Sequence, residues 1–183
     1  MADYTARRIQ ALDACDKVIN GIEDGIITIS SALLQCMKIA RLVNDTDAME
    51  WLNYELGGYS RNNEGYLTNS AWNIAVQHGR SYISNTDKQT YVFTDLVAEL
   101  ENIISNSKSA LNNFTTQGFS ASGEYAHLAT SRMTTDVNQA TNNLLNTSKI
   151  HEHRLSILKA QYYDYAVKWQ IDLNFGKTAK KVF

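Results

Sequence analysis

Two pairs of residues in this chain have the types that metal or acid–base chemistry needs, but their spacing argues against both. His151 and His153 stand two apart in a helical pattern, which puts them about 200° apart around the axis, whereas helical histidines that share a metal ion stand at i and i+4. Glu50 and Glu55 lie five apart, on different faces of a helix, and do not form a paired-carboxylate site. The sequence therefore predicts no metal ion and no catalytic carboxylate pair.

The cysteines and the glycine pair give no chemistry either. Cys15 and Cys36 each lie in an apolar periodic stretch, where cysteine is more commonly a small buried hydrophobe than a nucleophile. Gly57-Gly58 ends a helix, in the manner of a left-handed cap, instead of opening one after a strand, so it does not form a phosphate-binding loop. We expect a chain that binds, with no catalytic residue, no cofactor and no enzyme activity.

One part of the sequence offers groups that suit a nucleotide. Phosphates need cationic partners and a base needs a flat aromatic face, and both are present in Arg154, Lys159, Tyr162, Tyr163 and Lys168. Lys159 and Tyr163 share a helical face at i and i+4. The alternative is that the cations solvate the outer face of the helix while the tyrosines pack inward.

Composition excludes several classes of protein. The chain has 183 residues, of which 44% are hydrophobic and 20% charged, as in an ordinary globular domain. Its formal charge of -2 gives no electrostatic footprint for duplex nucleic acid or a membrane surface. No stretch approaches the roughly 18 consecutive apolar residues of a membrane span, and no secretory leader pattern opens the chain. We expect a cytoplasmic protein.

Helical periodicity dominates the chain, and no proline interrupts it. We predict a mainly α fold, a helical bundle that forms one domain over residues 1–183. Its parts are a helical head at 3–59, a small β-hairpin or sheet at 71–93 and long helices over 95–175, the last of them a long C-terminal helix.

Three local patterns inside this outline are specific enough to test. In the third helix of the head, the apolar residues Met49, Leu52 and Leu56 follow one another at steps of three and four and predict an inward stripe. Further on, Trp72, Ile74 and Val76 are apolar at every second position, which predicts a strand. A second strand is predicted from the β-branched and aromatic run 90–93.

The C-terminal helix is predicted to be longer than a small domain can cover. Its apolar stripe from Leu155 to Leu173 includes Tyr162, Tyr165 and Trp169, aromatic residues of the kind enriched at interfaces. We therefore predict a homo-oligomer that forms through this helix. The alternatives are an intramolecular bundle, a solvated helix, or a helix that folds back near residues 142–147.

The segment 30–59 carries a recognisable pattern. It contains Ser30-Ser31-Ala32-Leu33-Leu34, then Lys38-Ile39-Ala40, then Trp51-Leu52-Asn53-Tyr54-Glu55-Leu56-Gly57-Gly58-Tyr59. This pattern resembles the opening of the AbiTii domain, a family associated with bacterial abortive-infection and antiphage systems. A weaker likeness to the closing helix of the family covers 162–183. The family usually has Pro after Gly-Tyr and then Tyr-Arg, where this chain has Ser60 and Tyr66-Leu67.

The resemblance transfers five motif positions, which are Trp51, Glu55, Gly58, Tyr59 and Tyr66. We expect Trp51 to clamp the third helix on the second and Gly58 to let Tyr59 turn back onto that surface. Glu55 then lies one turn after Trp51 and can accept a hydrogen bond from the loop.

The resemblance also implies a class of function. It points to a regulatory or binding module of an abortive-infection system that senses a signal nucleotide or docks an effector protein. One alternative is a phage-encoded decoy that binds and sequesters an immune signalling nucleotide. Another is a helical assembly protein with no small ligand.

Overall fold

The computed structural model describes residues 2–116, 122 and 126–176. Six helices and one two-stranded sheet lie within these ranges. In chain order they are α1 (Ala2–Glu23), α2 (Ile29–Val43), α3 (Thr46–Gly57), α4 (Asn69–Gln77), β1 (Ser81–Ile83), β2 (Thr90–Val92), α5 (Val97–Thr116) and α6 (Ala126–Phe175). The mainly α fold with a small sheet and a long C-terminal helix is therefore confirmed.

The first three helices form the head of the molecule. Helix α2 is its centre and packs against both α1 and α3. It begins after Thr28, whose Oγ1 accepts a hydrogen bond from the amide of Ser31 at 3.1 Å. It ends at Asn44, which has a left-handed φ of 58°. The next residue, Asp45, caps α3 at once, so α2 and α3 are joined by a sharp two-residue turn.

The strand that we predicted over Trp72 to Val76 is wrong. These residues belong to α4, which Thr68 caps by accepting a hydrogen bond from the amide of Ala71. Ala71 and Ala75, one helical turn apart, are fully buried, so small side chains at i and i+4 decide the packing. The nine-residue segment fits a helical period of 3.6 as well as a period of two, so the alternation of Trp72, Ile74 and Val76 does not identify a strand.

The sheet begins at Ser81, later in the chain than residue 71, where the predicted β insertion begins. Strands β1 and β2 pair antiparallel, with Ser81 opposite Val92 and Ile83 opposite Thr90. The second predicted strand thus corresponds to β2, and its partner is the segment that directly follows Arg80. The hairpin places Phe93, which is buried, immediately after the sheet.

Helix α6 runs without a break through residues 142–147, so the predicted fold-back there does not occur. Its stripe from Leu158 to Leu173, including Tyr162, Tyr165 and Trp169, is buried within the chain itself. These aromatic residues are core, and the stripe no longer argues for an oligomer. The oligomeric state stays a prediction, which light scattering at micromolar concentration measures.

The chain divides into two compact units. The first comprises residues 1–98 and 155–183, and the second comprises 99–154. Within the second unit, Lys108 Nζ lies 2.9 Å from Glu152 Oε1. No helix in the described ranges is both long enough and apolar enough to cross a membrane.

Candidate functional site

A buried ion pair lies at the centre of the first unit. Glu55, on the last turn of α3, and Arg80, between α4 and β1, both have fully buried side chains. Arg80 Nε donates to Glu55 Oε1 at 2.9 Å, and Arg80 Nη2 donates to Glu55 Oε2, so the contact is bidentate. We call this contact the Glu55–Arg80 pair.

Two tyrosines complete the coordination of the carboxylate. The Tyr59 hydroxyl donates to Glu55 Oε1 at 2.7 Å, and the Tyr162 hydroxyl lies 3.4 Å from Glu55 Oε2. Burial and then the negative charge of Glu55 raise the pKa of both phenols above the usual value, so both stay protonated donors. The carboxylate is therefore satisfied by four donors.

The guanidinium is equally well held. Arg80 Nη1 donates to the backbone carbonyl of Asp95 at 2.6 Å, and its central carbon lies 5.6 Å from the Tyr59 ring and 5.2 Å from the Phe93 ring. Burial disfavours its charge, but the hydrogen bond and charge of Glu55 outweigh that penalty and raise the pKa of Arg80. The Glu55–Arg80 pair is therefore enclosed on all sides by protein atoms and belongs to the core of the first unit.

An aromatic stack rests on this pair. Trp51 is only 7% exposed and stacks on two rings, with its centroid 4.4 Å from that of His78 and 5.9 Å from that of Tyr162, both nearly parallel to it. Tyr165 meets the indole edge-on at 6.1 Å. Burial lowers the pKa of His78, although Glu55 opposes that shift, so the imidazole is neutral at pH 7.

Asp45 ties the start of α3 to α6. Its Oδ1 accepts the amide of Ala48 at 3.0 Å, which is the cap of α3. Its Oδ2 accepts hydrogen bonds from the Tyr165 hydroxyl at 3.3 Å and from the Trp169 indole nitrogen at 3.2 Å. One carboxylate thus fixes both the position of α3 and the rotamers of two aromatic side chains.

The backbone at Gly79, directly after His78 of the stack, closely approaches helix α6. Gly79 has a φ of 64°, and a Cβ placed on it would lie 3.0 Å from Gln161 Nε2 and from Ile157 Cγ2. The same Gln161 nitrogen donates to the carbonyl of His78 at 2.5 Å. Position 79 therefore favours glycine, because a Cβ there is strained at this φ and would press against the side chains of Gln161 and Ile157.

A surface cavity of about 580 Å³ opens beside the stack. Its lining includes four carboxylates and one ammonium group around Trp51, His78 and Tyr165, and we call it the acidic cavity. The charged residues are Asp45, Asp47, Glu50, Asp164 and Lys168. Four negative charges against one positive charge make this surface repel phosphate and attract cations. The Oε1 atom of Gln161, which also lines the cavity, is buried and has no partner among the described residues.

Metal and thiol chemistry find no support in the described ranges. No group of three or more His, Cys, Asp or Glu side chains in them has the geometry of a metal site. Burial raises the pKa of the Cys15 thiol to about 12 and raises that of Cys36 as well, so neither is a thiolate at neutral pH.

The comparison with known families agrees with the motif. The AbiTii family profile matches residues 15–159, which is most of the chain. The chain belongs to the AbiTii family. This family is associated with abortive-infection defence, and the protein is therefore a member of a defence-associated family. No curated protein and no solved structure gave a significant match.

The AbiTii motif positions meet at one place, apart from one residue. Trp51, Glu55 and Tyr59 all join the stack or the ion pair, and the expected bond from the loop to Glu55 is the one that Tyr59 donates. Gly58 ends α3 with φ of 92° and ψ of 159°, a region open to glycine and distinct from the left-handed cap that we predicted. Tyr66 lies apart, with 69% of its surface exposed.

One expectation about this AbiTii motif is wrong and another is extended. The predicted inward stripe of α3 turns away from Leu56, which is exposed, and towards Glu55. Sequence periodicity missed this because it scores a glutamate as a surface residue. Trp51 stacks on His78 and Tyr162, so it joins α3 to the end of α4 and to α6, while its predicted contact with α2 stays a prediction.

The five residues predicted for a nucleotide lie in different environments of this AbiTii chain. Tyr162 is fully buried and has no free face, and the Tyr163 hydroxyl donates to Glu23 at 2.5 Å. Lys168 is exposed on the acidic cavity, 5.5 Å from the Trp169 ring. Lys159 is half-buried in the first unit, and Arg154 belongs to the second unit. Burial of Tyr162 removes one aromatic surface from the predicted set, and the nucleotide role of the others stays a prediction.

The residues that sequence reasoning missed are Arg80, His78 and Gln161. Arg80 follows a His-Gly turn and pairs with a residue 25 positions earlier, so no local spacing indicates the pair. The contact between Asp45 Oδ2 and the Trp169 indole nitrogen joins residues 124 positions apart and has no local signal either.

Proposed function

We propose that this AbiTii protein is a non-catalytic recognition module of an abortive-infection system and that it docks a basic segment of an effector protein in the acidic cavity. The observation that carries the proposal is the lining of the cavity, in which four carboxylates face one ammonium group. A cationic side chain of a partner gains from that surface, whereas a nucleotide phosphate is repelled.

The cavity is built to hold its shape. Asp45 and Trp51 are fixed from behind by hydrogen bonds and ring stacking, and the exposed carboxylates Asp47, Glu50 and Asp164 project from helices α3 and α6. A rigid base with charged rims loses little entropy when a partner binds. Such an arrangement suits recognition of a side chain such as arginine or lysine.

The non-catalytic part of the proposal rests on the state of the reactive groups. The carboxylate of Glu55 is enclosed by Arg80 and two tyrosines, and the thiols of Cys15 and Cys36 have raised pKa values. A buried, fully paired carboxylate and a protonated thiol are poor general bases and nucleophiles. Recognition is the role that remains for the motif region.

The test is charge reversal on the rim of the acidic cavity. The double variant Asp47→Lys/Asp164→Lys is compared with Asp24→Lys/Asp136→Lys, which makes the same change in net charge on exposed residues outside the cavity. We expect only the first to lose phage protection in a plaque assay and to lose more than tenfold in affinity for a hexa-arginine peptide by calorimetry. Equal behaviour of the two double variants would contradict the proposal.

The same assays separate the alternatives. A nucleotide-sequestering decoy raises plaque counts in a host that carries nucleotide-signalled immunity, whereas a defence module lowers them. Release of intact nucleotide after incubation is expected for a binder, and product formation would show an enzyme. An assembly protein gives neither a peptide nor a nucleotide affinity.

A further inference from the structure

A second cavity, also of about 580 Å³, lies on another face of the first unit. Three segments build it: the loop 61–67, the first turns of α4, and β2 with the residues that follow it. Its lining contains three aromatic side chains and one guanidinium, and we call it the aromatic cavity. The residues are Arg61, Gly65, Tyr66, Leu67, Asn69, Trp72, Tyr91, Val92 and Thr94.

The aromatic side chains of this cavity are available to a ligand. Tyr66 is 69% exposed, Trp72 38% and Tyr91 40%, whereas Trp51 and Trp169 of the same unit are buried. Tyr91 is held in position because its hydroxyl donates to Asp87 at 2.6 Å and its ring stacks on Tyr82. Three exposed rings from three separate segments form a surface on which a flat base can stack.

The single cation of the lining is positioned. Arg61 Nη1 donates to the carbonyl of Gly65 at 2.8 Å, and Nη2 donates to Thr94 Oγ1 at 3.1 Å. A guanidinium has five N–H groups, so three remain to bind an anion. Among the nine lining residues Arg61 alone carries a formal charge, which makes this cavity the electrostatic opposite of the acidic cavity.

The backbone of the loop is fixed before any ligand arrives. Asn62 Oδ1 accepts the amides of Glu64 and Tyr66 at 3.1 and 2.9 Å, and the Asn62 amide donates to the Tyr66 carbonyl at 2.8 Å. Leu67 and Val92, which line the floor, pack on the buried cluster of Tyr59, Ala71 and Ala75. The floor is therefore part of the core, and the site is preorganised.

We propose that the aromatic cavity is a binding site for a mononucleotide. The base stacks on the exposed rings, the phosphate pairs with Arg61, and the Asn69 amide offers one donor and one acceptor to a base edge. The volume of the cavity lies in the range of small-molecule sites. This inference goes beyond the proposed function, because it concerns a different surface and a ligand of opposite charge.

Calorimetry with AMP, adenosine and ribose 5-phosphate tests the site on the full chain. We expect AMP to bind best, adenosine more weakly and ribose 5-phosphate not at all. Tyr66→Ala should lower the AMP affinity about tenfold or more, because one stacking ring is lost. Arg61→Gln should lower the AMP affinity similarly and leave that of adenosine unchanged.

Two controls make the result specific. Phe175→Ala removes an exposed aromatic side chain outside the cavity and should leave the AMP affinity unchanged. Arg61→Lys keeps the charge and should retain part of the phosphate affinity, which separates lost charge from a disturbed loop. Melting temperatures of all variants should match that of the parent protein.

Fluorescence gives an independent readout at Trp72, since Trp51 and Trp169 are buried outside the lining of the cavity and AMP does not contact their rings. AMP should quench the emission of the parent protein, and Trp72→Phe should remove the quenching, while calorimetry should detect AMP binding at a lower affinity because a smaller ring remains in the cavity. The proposal is overturned by the absence of AMP binding at millimolar concentration, by equal affinities for AMP and ribose 5-phosphate, or by affinities that the Tyr66 and Arg61 variants leave unchanged. The double variant Asp47→Lys/Asp164→Lys should keep its AMP affinity, so failure at one cavity is distinguishable from failure at the other.

Discussion

The acidic cavity and the aromatic cavity have the same volume and are built in opposite ways. The acidic cavity lies beside a buried polar network, in which the Glu55–Arg80 pair and Asp45 hold the aromatic stack in place. The aromatic cavity presents its functional side chains on the surface, above an apolar floor. Changes behind the acidic cavity should therefore act on folding, whereas changes in the aromatic cavity should act on ligand binding alone.

The largest expected effect is that of Arg80→Ala. It leaves the Glu55 carboxylate buried without its cation, which should lower the free energy of unfolding by about 3–5 kcal/mol. Urea denaturation of the variant and the parent measures the difference. The double variant Glu55→Leu/Arg80→Met removes both charges and should recover part of the loss. A loss below about 1 kcal/mol for Arg80→Ala would mean that the pair is solvated, against the burial that we describe.

Asp45→Ala comes next. It removes the cap of α3 and the acceptor of Tyr165 and Trp169, and we expect a loss of about 2–3 kcal/mol in the free energy of unfolding. Asp45→Asn is the matched variant, because asparagine also caps helices well. If both variants lose the same stability, the cap contributes nothing and the bonds to α6 carry the effect.

Gly79→Ala tests the close approach between the turn after α4 and α6. Alanine at a φ of 64°, with its Cβ against Gln161 and Ile157, should lower the free energy of unfolding by about 1–2 kcal/mol. Gly57→Ala is the control, since nothing lies within 4 Å of a Cβ at that helical position. The control should be neutral or slightly stabilising, and an equal loss in both variants would remove the steric argument.

His78, which lines the acidic cavity, gives the stability of the fold a pH dependence. Its pKa is lowered in the folded state, so the unfolded chain binds the proton first as the pH falls. The stabilising contribution is complete above the unfolded pKa of about 6.5 and is lost as the pH falls from there towards the folded pKa. His78→Phe keeps a flat ring on Trp51 and should lose less stability between pH 7.5 and 5. Parallel losses in the two proteins would contradict the lowered pKa.

The smallest effect should come from the aromatic cavity. Tyr66→Ala removes an exposed ring and should change the free energy of unfolding by less than about 0.5 kcal/mol. Thermal denaturation in the absence of any nucleotide is the measurement. A larger loss would show that the loop 61–67 depends on this ring, and the contrast between the two cavities would weaken.

The sequence predicted the local features of the fold well. The helices, the end of α3 at Gly58 and the bond from the loop to Glu55 all follow from short-range patterns of capping, periodicity and glycine placement. The error at α4 has the same origin, because nine residues are too few to separate a period of two from a period of 3.6. Local signals determine where elements begin and end, except where an element is very short.

Local sequence patterns could not predict the candidate sites. The Glu55–Arg80 pair joins positions 25 apart, and the acidic cavity collects carboxylates from α3 and from α6, more than 100 residues apart. Periodicity placed Tyr162 on the inward stripe of the last helix correctly, yet it gave no indication that a buried carboxylate needs its hydroxyl. Tertiary packing alone brings such groups together, and it is not encoded in spacing along the chain.

Helix α4 belongs to both cavities. Trp72 lines the aromatic cavity, Ile74 and Gln77 line the acidic cavity, and the fully buried Ala71 and Ala75 anchor the helix between them. A ligand that shifts this nine-residue helix when it binds one cavity therefore changes the affinity of the other cavity for its own ligand. Thermodynamic reciprocity requires the same fold-change in affinity whichever ligand binds first. If α4 stays fixed, neither ligand changes the affinity for the other, so the affinity for each ligand measured with and without the other shows whether the buried alanines allow α4 to move.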